Sequence, residues 1–268
     1  MTISNAETSS NQLGSPSDFG PGAIRPVVKI SNLSKKFSAN GPVIIDNLNL
    51  EVRAGEFVSL VGASGCGKST LLNILSGLDT ASSGSVELSE QSTLMFQESA
   101  LLPWLTAGKN IELALKLSGH PKEGRKARAQ ELLELVHLPN AYNQRPHELS
   151  GGMRQRVAIA RALSQGRKIL LMDEPFAALD AITRDLLHDE LIRIWEETGL
   201  TVIFVTHNVR EAVRLGQRVI LMSSKPGRII QEWDVDFNEP RRIDEANVAE
   251  LAHEITDRLR NEIRRHAN

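Results

Sequence analysis

Two hydrophobic periods alternate along the chain. Near-continuous apolar runs, FVSLV (residues 57–61), STLMF (92–96), KILLMD (168–173), TVIFVT (201–206) and QRVILMS (217–223), read as strands of a sheet buried on both faces. Between them, STLLNILSGL (residues 69–78), AITRDLLHDELIRIWEET (181–198) and NVREAVRLG (208–216) carry apolar residues at three-to-four spacing, the period of a helix. Strands separated by helices imply a parallel sheet with helices on both faces.

The pattern changes three times. VVKISNL and VIIDNLNLEV flank the turn-like SANGP near the start, predicting a small antiparallel unit that feeds a central strand. Between about Glu98 and His147 no strand-like run occurs; AGKNIELALKLSG and EGRKARAQELLELVHL predict amphipathic helices separated by Gly-His-Pro, a helical subdomain over about 98–150. In the last segment Val248, Leu251, Ile255, Leu259 and Ile263 share one helical face, which predicts packing onto the chain's own core.

Residues 1–26 are rich in Ser, Asn, Gly and Pro and hold too few large apolar groups to offset the entropy of ordering, so a disordered tail is expected. The main domain is then 27–234, and 235–268 is a C-terminal extension with an amphipathic helix.

Composition narrows the functional classes. The chain has 268 residues, 31 Lys+Arg and 33 Asp+Glu, and a net charge of -2, which gives no electrostatic reason for nucleic acid as the main partner. Its single cysteine, Cys66, cannot form an intramolecular disulfide, and a reducing compartment follows. The start has no basic segment followed by an apolar one, and no run approaches the roughly 20 residues that span a bilayer. The chain therefore reads as cytoplasmic, with any membrane role borrowed from a partner.

The chemistry begins with GASGCGKST, residues Gly62, Ala63, Ser64, Gly65, Cys66, Gly67, Lys68, Ser69 and Thr70, set between a strand and a helix. Its glycines allow a tight loop whose N–H groups cradle phosphates, Lys68 can reach β/γ oxygens, and Ser69 can ligate Mg2+. Cys66 reads as a small filler in this loop. In LLMDEP, Asp173 at a strand tip can hold Mg2+ through water, and Glu174 can orient and polarise an attacking water. His207 ends another strand, and Gln97 lies beyond a third, where an amide could touch both metal and water. LSGGMRQ adds a second anion site without a lysine: Ser150 caps a helix, and Gly151 and Gly152 let backbone N–H groups approach a ligand.

These motifs, in this order and together with ALD, resemble the ATPase subunit of ABC transporters over about residues 27–230. The resemblance implies an α/β P-loop NTPase with a RecA-like parallel-sheet core, an N-terminal antiparallel subdomain and an inserted helical subdomain. It further implies ATP and Mg2+ as ligands, Phe37 stacked on adenine, Gln97 as the Q-loop, Asp180 as the D-loop residue and His207 as the switch histidine. Ser150, Gly151 and Gly152 would then contact the γ-phosphate held by the P-loop of the other subunit in a head-to-tail homodimer.

FQESALLPWLTAGKNIELAL and SSKPGRI are similar to ATPases of the nitrate, sulfonate and taurine importer group. Leu102, Pro103 and Trp104 directly follow the Q-loop, where that family receives the coupling helix of the membrane subunit; a packed Trp inside the helical insert is the competing reading. Ala177 and Ala178 stand where a serine often precedes Ala-Leu-Asp, and the segment between Val86 and Gln97 is shorter than usual.

The resulting expectation is a peripheral ATPase on the cytoplasmic face of the membrane, working with an integral permease dimer and, indirectly, an extracytoplasmic substrate-binding protein. Aliphatic sulfonates are the favoured cargo, with nitrate or taurine as alternatives. The rival classes are a soluble ABC ATPase acting on nucleic acid or ribosomes, which commonly carries two cassettes or long coiled-coil arms, and a nucleotide kinase. The signature and the acid pair argue against the kinase.

Overall fold

The structure, a computed structural model, describes residues 26–235 and 246–266. The expected tail lies outside the described residues, except that Pro26 already belongs to the first strand.

Three strands make the antiparallel unit: β1 (Pro26–Lys36) pairs with β2 (Val43–Arg53) on one side and with Ser83–Leu88 (β4) on the other. β4, SGSVEL, escapes the sequence reading because it is a polar edge strand with only Val86 and Leu88 apolar, opposite Ile30 and Val28. The short connection noted between Val86 and Gln97 is the end of this strand, a turn and the next strand.

The central sheet has six strands in the order β5-β6-β7-β3-β8-β9. β5 (Ser92–Met95), β6 (Ile169–Asp173), β7 (Thr201–Val205), β3 (Phe57–Gly62) and β8 (Arg218–Met222) are parallel neighbours. β9 (Ile229–Asp234), IIQEWD, closes the edge antiparallel to β8 and likewise escapes the sequence reading; its strict alternation of half-buried and exposed positions marks a one-sided edge strand.

The period of two distributes the core. Phe57, Leu170, Met172, Val202 and Phe204 face α4 (Gly151–Leu163), α5 (Ala181–Thr198) and the helical insert. Val58, Leu60, Leu171, Ile203 and Val205 face α1 (Lys68–Leu75) and the antiparallel unit. The insert contains α2 (Ala107–Leu117) and α3 (Arg125–Leu135); buried Asn110 holds the preceding loop by accepting from Leu102 N at 2.8 Å and donating to carbonyls of Leu102, Leu105 and Thr106.

A third apolar cluster joins Val61, Val219 and Leu221 to α6 (Val209–Leu215) and α7 (Ala246–His266). Val248 and Ile255 are fully buried there, and Leu251 and Leu259 pack at its margin, whereas Ile263 remains 43% exposed. The apolar stripe of α7 is therefore spent mainly on the chain's own core.

Candidate functional site

Parallel register brings the candidate residues to one edge of the sheet. Leu60 of β3 and Asp173 of β6 both pair with Val205 of β7, so the phosphate loop, Asp173–Glu174 and Thr206–His207 leave neighbouring strand tips. Gln97 follows β5, where Met95 pairs with Met172.

The loop owes its shape to glycine at two positions. Gly65 and Gly67 have φ of +75° and +99°, which a side chain would strain, and a Cβ on Gly67 would lie 2.9 Å from Ile45 Cγ1. Lys68 opens α1 and is 6% exposed; its Nζ donates to the carbonyls of Gly62 at 2.8 Å and Ala63 at 3.1 Å and touches Cys66 Sγ at 3.7 Å. Ser64, Gly65 and Ser69 remain exposed above it, while Cys66 is buried beneath the loop.

Asp173 is partly buried, and burial pushes its carboxyl up, with the like charge of Glu174 adding; the Ser69 hydroxyl and Lys68 oppose the shift. Glu174 sits at φ +46° with its N–H bonded to Val205 O, a left-handed turn that lifts its side chain past the strand end. Its Oε2 lies 2.8 Å from His207 Nδ1, so the imidazole donates from Nδ1 and leaves Nε2 free to face a ligand.

The other candidates stand apart from this cluster. Ser150 caps α4 by accepting from Met153 N at 3.2 Å. Gly152 is glycine for packing as well: a Cβ there would lie 2.5 Å from Thr183 Cγ2. Among the described residues, no hydrogen bond joins Ser150, Gly151 or Gly152 to the loop of residues 62–70. Gly151 instead shares a cavity of about 440 Å3 with Gln97, Ala178 and Leu179. Asp180 caps α5 through Thr183 N, and that backbone bond holds its carboxyl below the ordinary value. Phe37 is 68% exposed with Lys35 Nζ 5.2 Å from its ring centre, so its ring is outside the core.

Several supporting residues were not singled out from sequence. Gln155 of the LSGGMRQ helix is buried and donates to Pro175 O at 2.6 Å, tying α4 to the turn after Glu174. Arg161 reaches the carbonyls of Ala100 and Ser99 at 2.6 and 2.8 Å and pins the segment after Gln97. Gly227 lies under the phosphate loop; a Cβ there would come within 2.1 Å of Cys66 O, and its N–H and C=O bond Ile44 O and Asp46 N. The glycine in SSKPGRI does not by itself signal this close approach, because Cys66 lies far away in the chain.

Comparison with known proteins identifies the family of the chain. Residues 45–177 match the family described as ABC transporter. An uncharacterized ABC transporter ATP-binding protein of Methanocaldococcus jannaschii is 43% identical over 88% of this chain and 92% of its own length. The taurine import ATP-binding protein of Rhizobium johnstonii is 43% identical over 79% of this chain and 85% of its own. A nitrate import ATP-binding protein and a bicarbonate transport ATP-binding protein of Synechocystis are 43% and 46% identical, the latter matched over 34% of its length. A dimeric ATP-binding cassette, MJ0796, bound to ADP and Pi in a post-hydrolysis state, superposes with a TM-score of 0.69 at 36% identity over 79% of this chain and all of its own. The chain belongs to the ATP-binding proteins of ABC transporters, ATPases whose hydrolysis is coupled to transport.

Proposed function

We propose that this chain energises an importer of small oxyanions, with aliphatic sulfonates as the first candidates, by closing as a homodimer beneath two membrane permease subunits. The observation that carries the ATPase half is the bond between Glu174 and His207 at 2.8 Å beside the loop of Lys68. Lys68 would exchange its carbonyl partners for β/γ-phosphate oxygens, and the exposed glycine-rich turn would supply N–H donors. Glu174 would hold and deprotonate the attacking water, the His207 imidazolium, protonated at Nε2 as well as at Nδ1, would donate from Nε2 to the γ-phosphate, and Gln97 would orient the same water. Phe37 offers an exposed ring for adenine.

The hydroxyl of Ser69 and the carboxylate of Asp173, with the amide of Gln97, are hard oxygen donors suited to Mg2+, which would neutralise phosphate charge. Among the described residues, no group of three or more His, Cys, Asp or Glu could hold a metal by itself.

Ser150–Gly152 would complete the site of the other subunit, a reading supported by their separation from the chain's own phosphate loop and by the dimeric cassette to which the chain is similar. Trp104 supports the permease contact: it is 69% exposed, on the loop that Asn110 braces. Among the described residues, no helix is long and apolar enough to cross a membrane, which suits a peripheral subunit on the cytoplasmic face.

Sulfonate import is favoured by the sequence stretch after Gln97 and by the taurine-importer relative, taurine itself being a sulfonate; nitrate and bicarbonate relatives keep those anions as the second reading. Reconstitution with the cognate permease and extracytoplasmic binding protein tests this. Stimulation of ATP hydrolysis and uptake by alkanesulfonates above nitrate, taurine and bicarbonate is expected. Stimulation by nitrate alone would move the cargo, and stimulation by RNA or ribosomes without a permease would sink the importer reading.

A further inference from the structure

Behind His207 lies a buried polar chain that none of the roles above uses. His188 of α5 is 1% exposed, its ring edge-on to Phe176 at 5.5 Å. Its Nδ1 faces a guanidinium nitrogen of Arg214 at 3.3 Å; a guanidinium only donates, so Nδ1 accepts and the ring proton sits on Nε2. That Nε2–H donates to Glu211 Oε1 at 2.7 Å. The other oxygen of Glu211 accepts from the Thr206 hydroxyl, and the hydroxyl oxygen in turn accepts the backbone N–H of Asn208 at 3.0 Å. Arg214 also pairs with Asp185 and Asp189 at 2.9 and 2.7 Å, locking α6 to α5.

This chain of bonds ends on the two neighbours of His207. Thr206 uses its hydroxyl both as donor and as acceptor, which ties the turn that presents His207 to Glu211 and to the Asn208 amide. The anchor itself is on α5, the helix that Asp180 caps.

We propose that Thr206, Glu211 and His188 are positioning residues that hold the His207 imidazole against Glu174, so that α5 sets the geometry of the hydrolytic pair. The proposal rests on reading His207 as a γ-phosphate group. Without the hydroxyl anchor the turn at residues 206–208 gains freedom, the productive contact is populated less, and the chemical step slows. Nucleotide affinity, which depends on the loop at residues 62–70, is untouched.

The test compares Thr206→Val, Thr206→Ser and Glu211→Gln in the full chain assembled with its permease, together with His207→Ala alone and combined with Thr206→Val. Thr206→Val is expected to lower kcat about ten-fold, the value of one buried hydrogen bond, with KM for ATP unchanged and faster hydrogen exchange at the Asn208 amide. Thr206→Ser restores both; Glu211→Gln, of equal volume, reproduces the loss if the valine variant folds poorly. Combining Thr206→Val with His207→Ala costs no more than His207→Ala alone. Additive losses, or a raised KM with normal kcat, would overturn the proposal. Should His207→Ala hydrolyse ATP normally, the reading of His207 fails, and the positioning claim is then decided by exchange: unchanged protection of the Asn208 amide in Thr206→Val overturns it.

Discussion

Oε2 of Glu174 and Nδ1 of His207 meet at 2.8 Å, although 33 positions separate them in the chain. The pairing follows from adjacent parallel strands: Asp173 is in register with Val205, so the residues just beyond each strand face one another across the sheet edge. The carboxylate thus orients the imidazole, and the imidazole holds the carboxylate.

Substituting Glu174→Gln keeps the shape of this pair and removes the proposed base. Hydrolysis should fall at least about a hundred-fold while ATP still binds and drives dimer formation. Chromatography with light scattering in saturating MgATP reads the dimer; a monomer that turns over normally would contradict the assignment.

Ser150→Arg tests the composite site. Ser150 is exposed and bonds only within its own helix cap, so ATP affinity of the single chain should be nearly unchanged and turnover lost. Weakened binding of ATP by the monomer would place Ser150 in the chain's own pocket instead.

Gly227→Ala probes the support beneath the phosphate loop. A methyl 2.1 Å from Cys66 O must displace the loop, at a cost of about 1–3 kcal/mol in stability. Thermal unfolding and ATP titration should both shift, whereas alanine at Gly119, where a Cβ meets nothing within 4 Å but φ is +84°, should lower stability through backbone strain and leave ATP affinity intact.

Trp104→Glu should leave the basal ATPase rate of the isolated chain unchanged and abolish cargo uptake, because the indole is solvent-facing and far from packing duties. Unchanged uptake in reconstituted vesicles would remove Trp104 from the permease contact.

Tyr142 is the single tyrosine, which makes a spectrophotometric titration unambiguous. Burial and then the Glu112 carboxylate, to which its hydroxyl donates, push its pKa up to about 12. A phenol raised in the folded state contributes stability below its unfolded value that is lost as pH rises through the folded one. The phenolate band should therefore emerge about two units above an ordinary tyrosine, and Glu112→Gln should bring it down.

What could be read from the chain depended on how local the cause is. The phosphate loop, the acid pair after KILLMD, the Ser150 cap and the strands buried on both faces are legible because their chemistry sits within a few consecutive residues. β4 and β9 were not, since edge strands owe their existence to a partner rather than to their own apolarity. Gln155, Arg161, Gly227 and His188 were silent for the same reason: each acts on a segment 20 or more positions away, on Pro175, on Ala100, on Cys66 and on Glu211.

Trp104 and Phe37 show the division most plainly. Sequence determined that an aromatic stood at each place, and an aromatic in a window of mixed polarity fits a core as well as a surface. Whether each ring faces solvent depends on what the rest of the chain packs around it, and only the tertiary structure decided that both are exposed. By itself the sequence determined the nucleotide chemistry, the alternation of strands and helices and the cap at Ser150, because hydrogen-bonding capacity and hydrophobic period are local properties. The tertiary structure alone decided that Glu174 meets His207, that Gly227 braces the loop and that His188 reaches the turn of His207, because contacts between distant segments are set by sheet order and register.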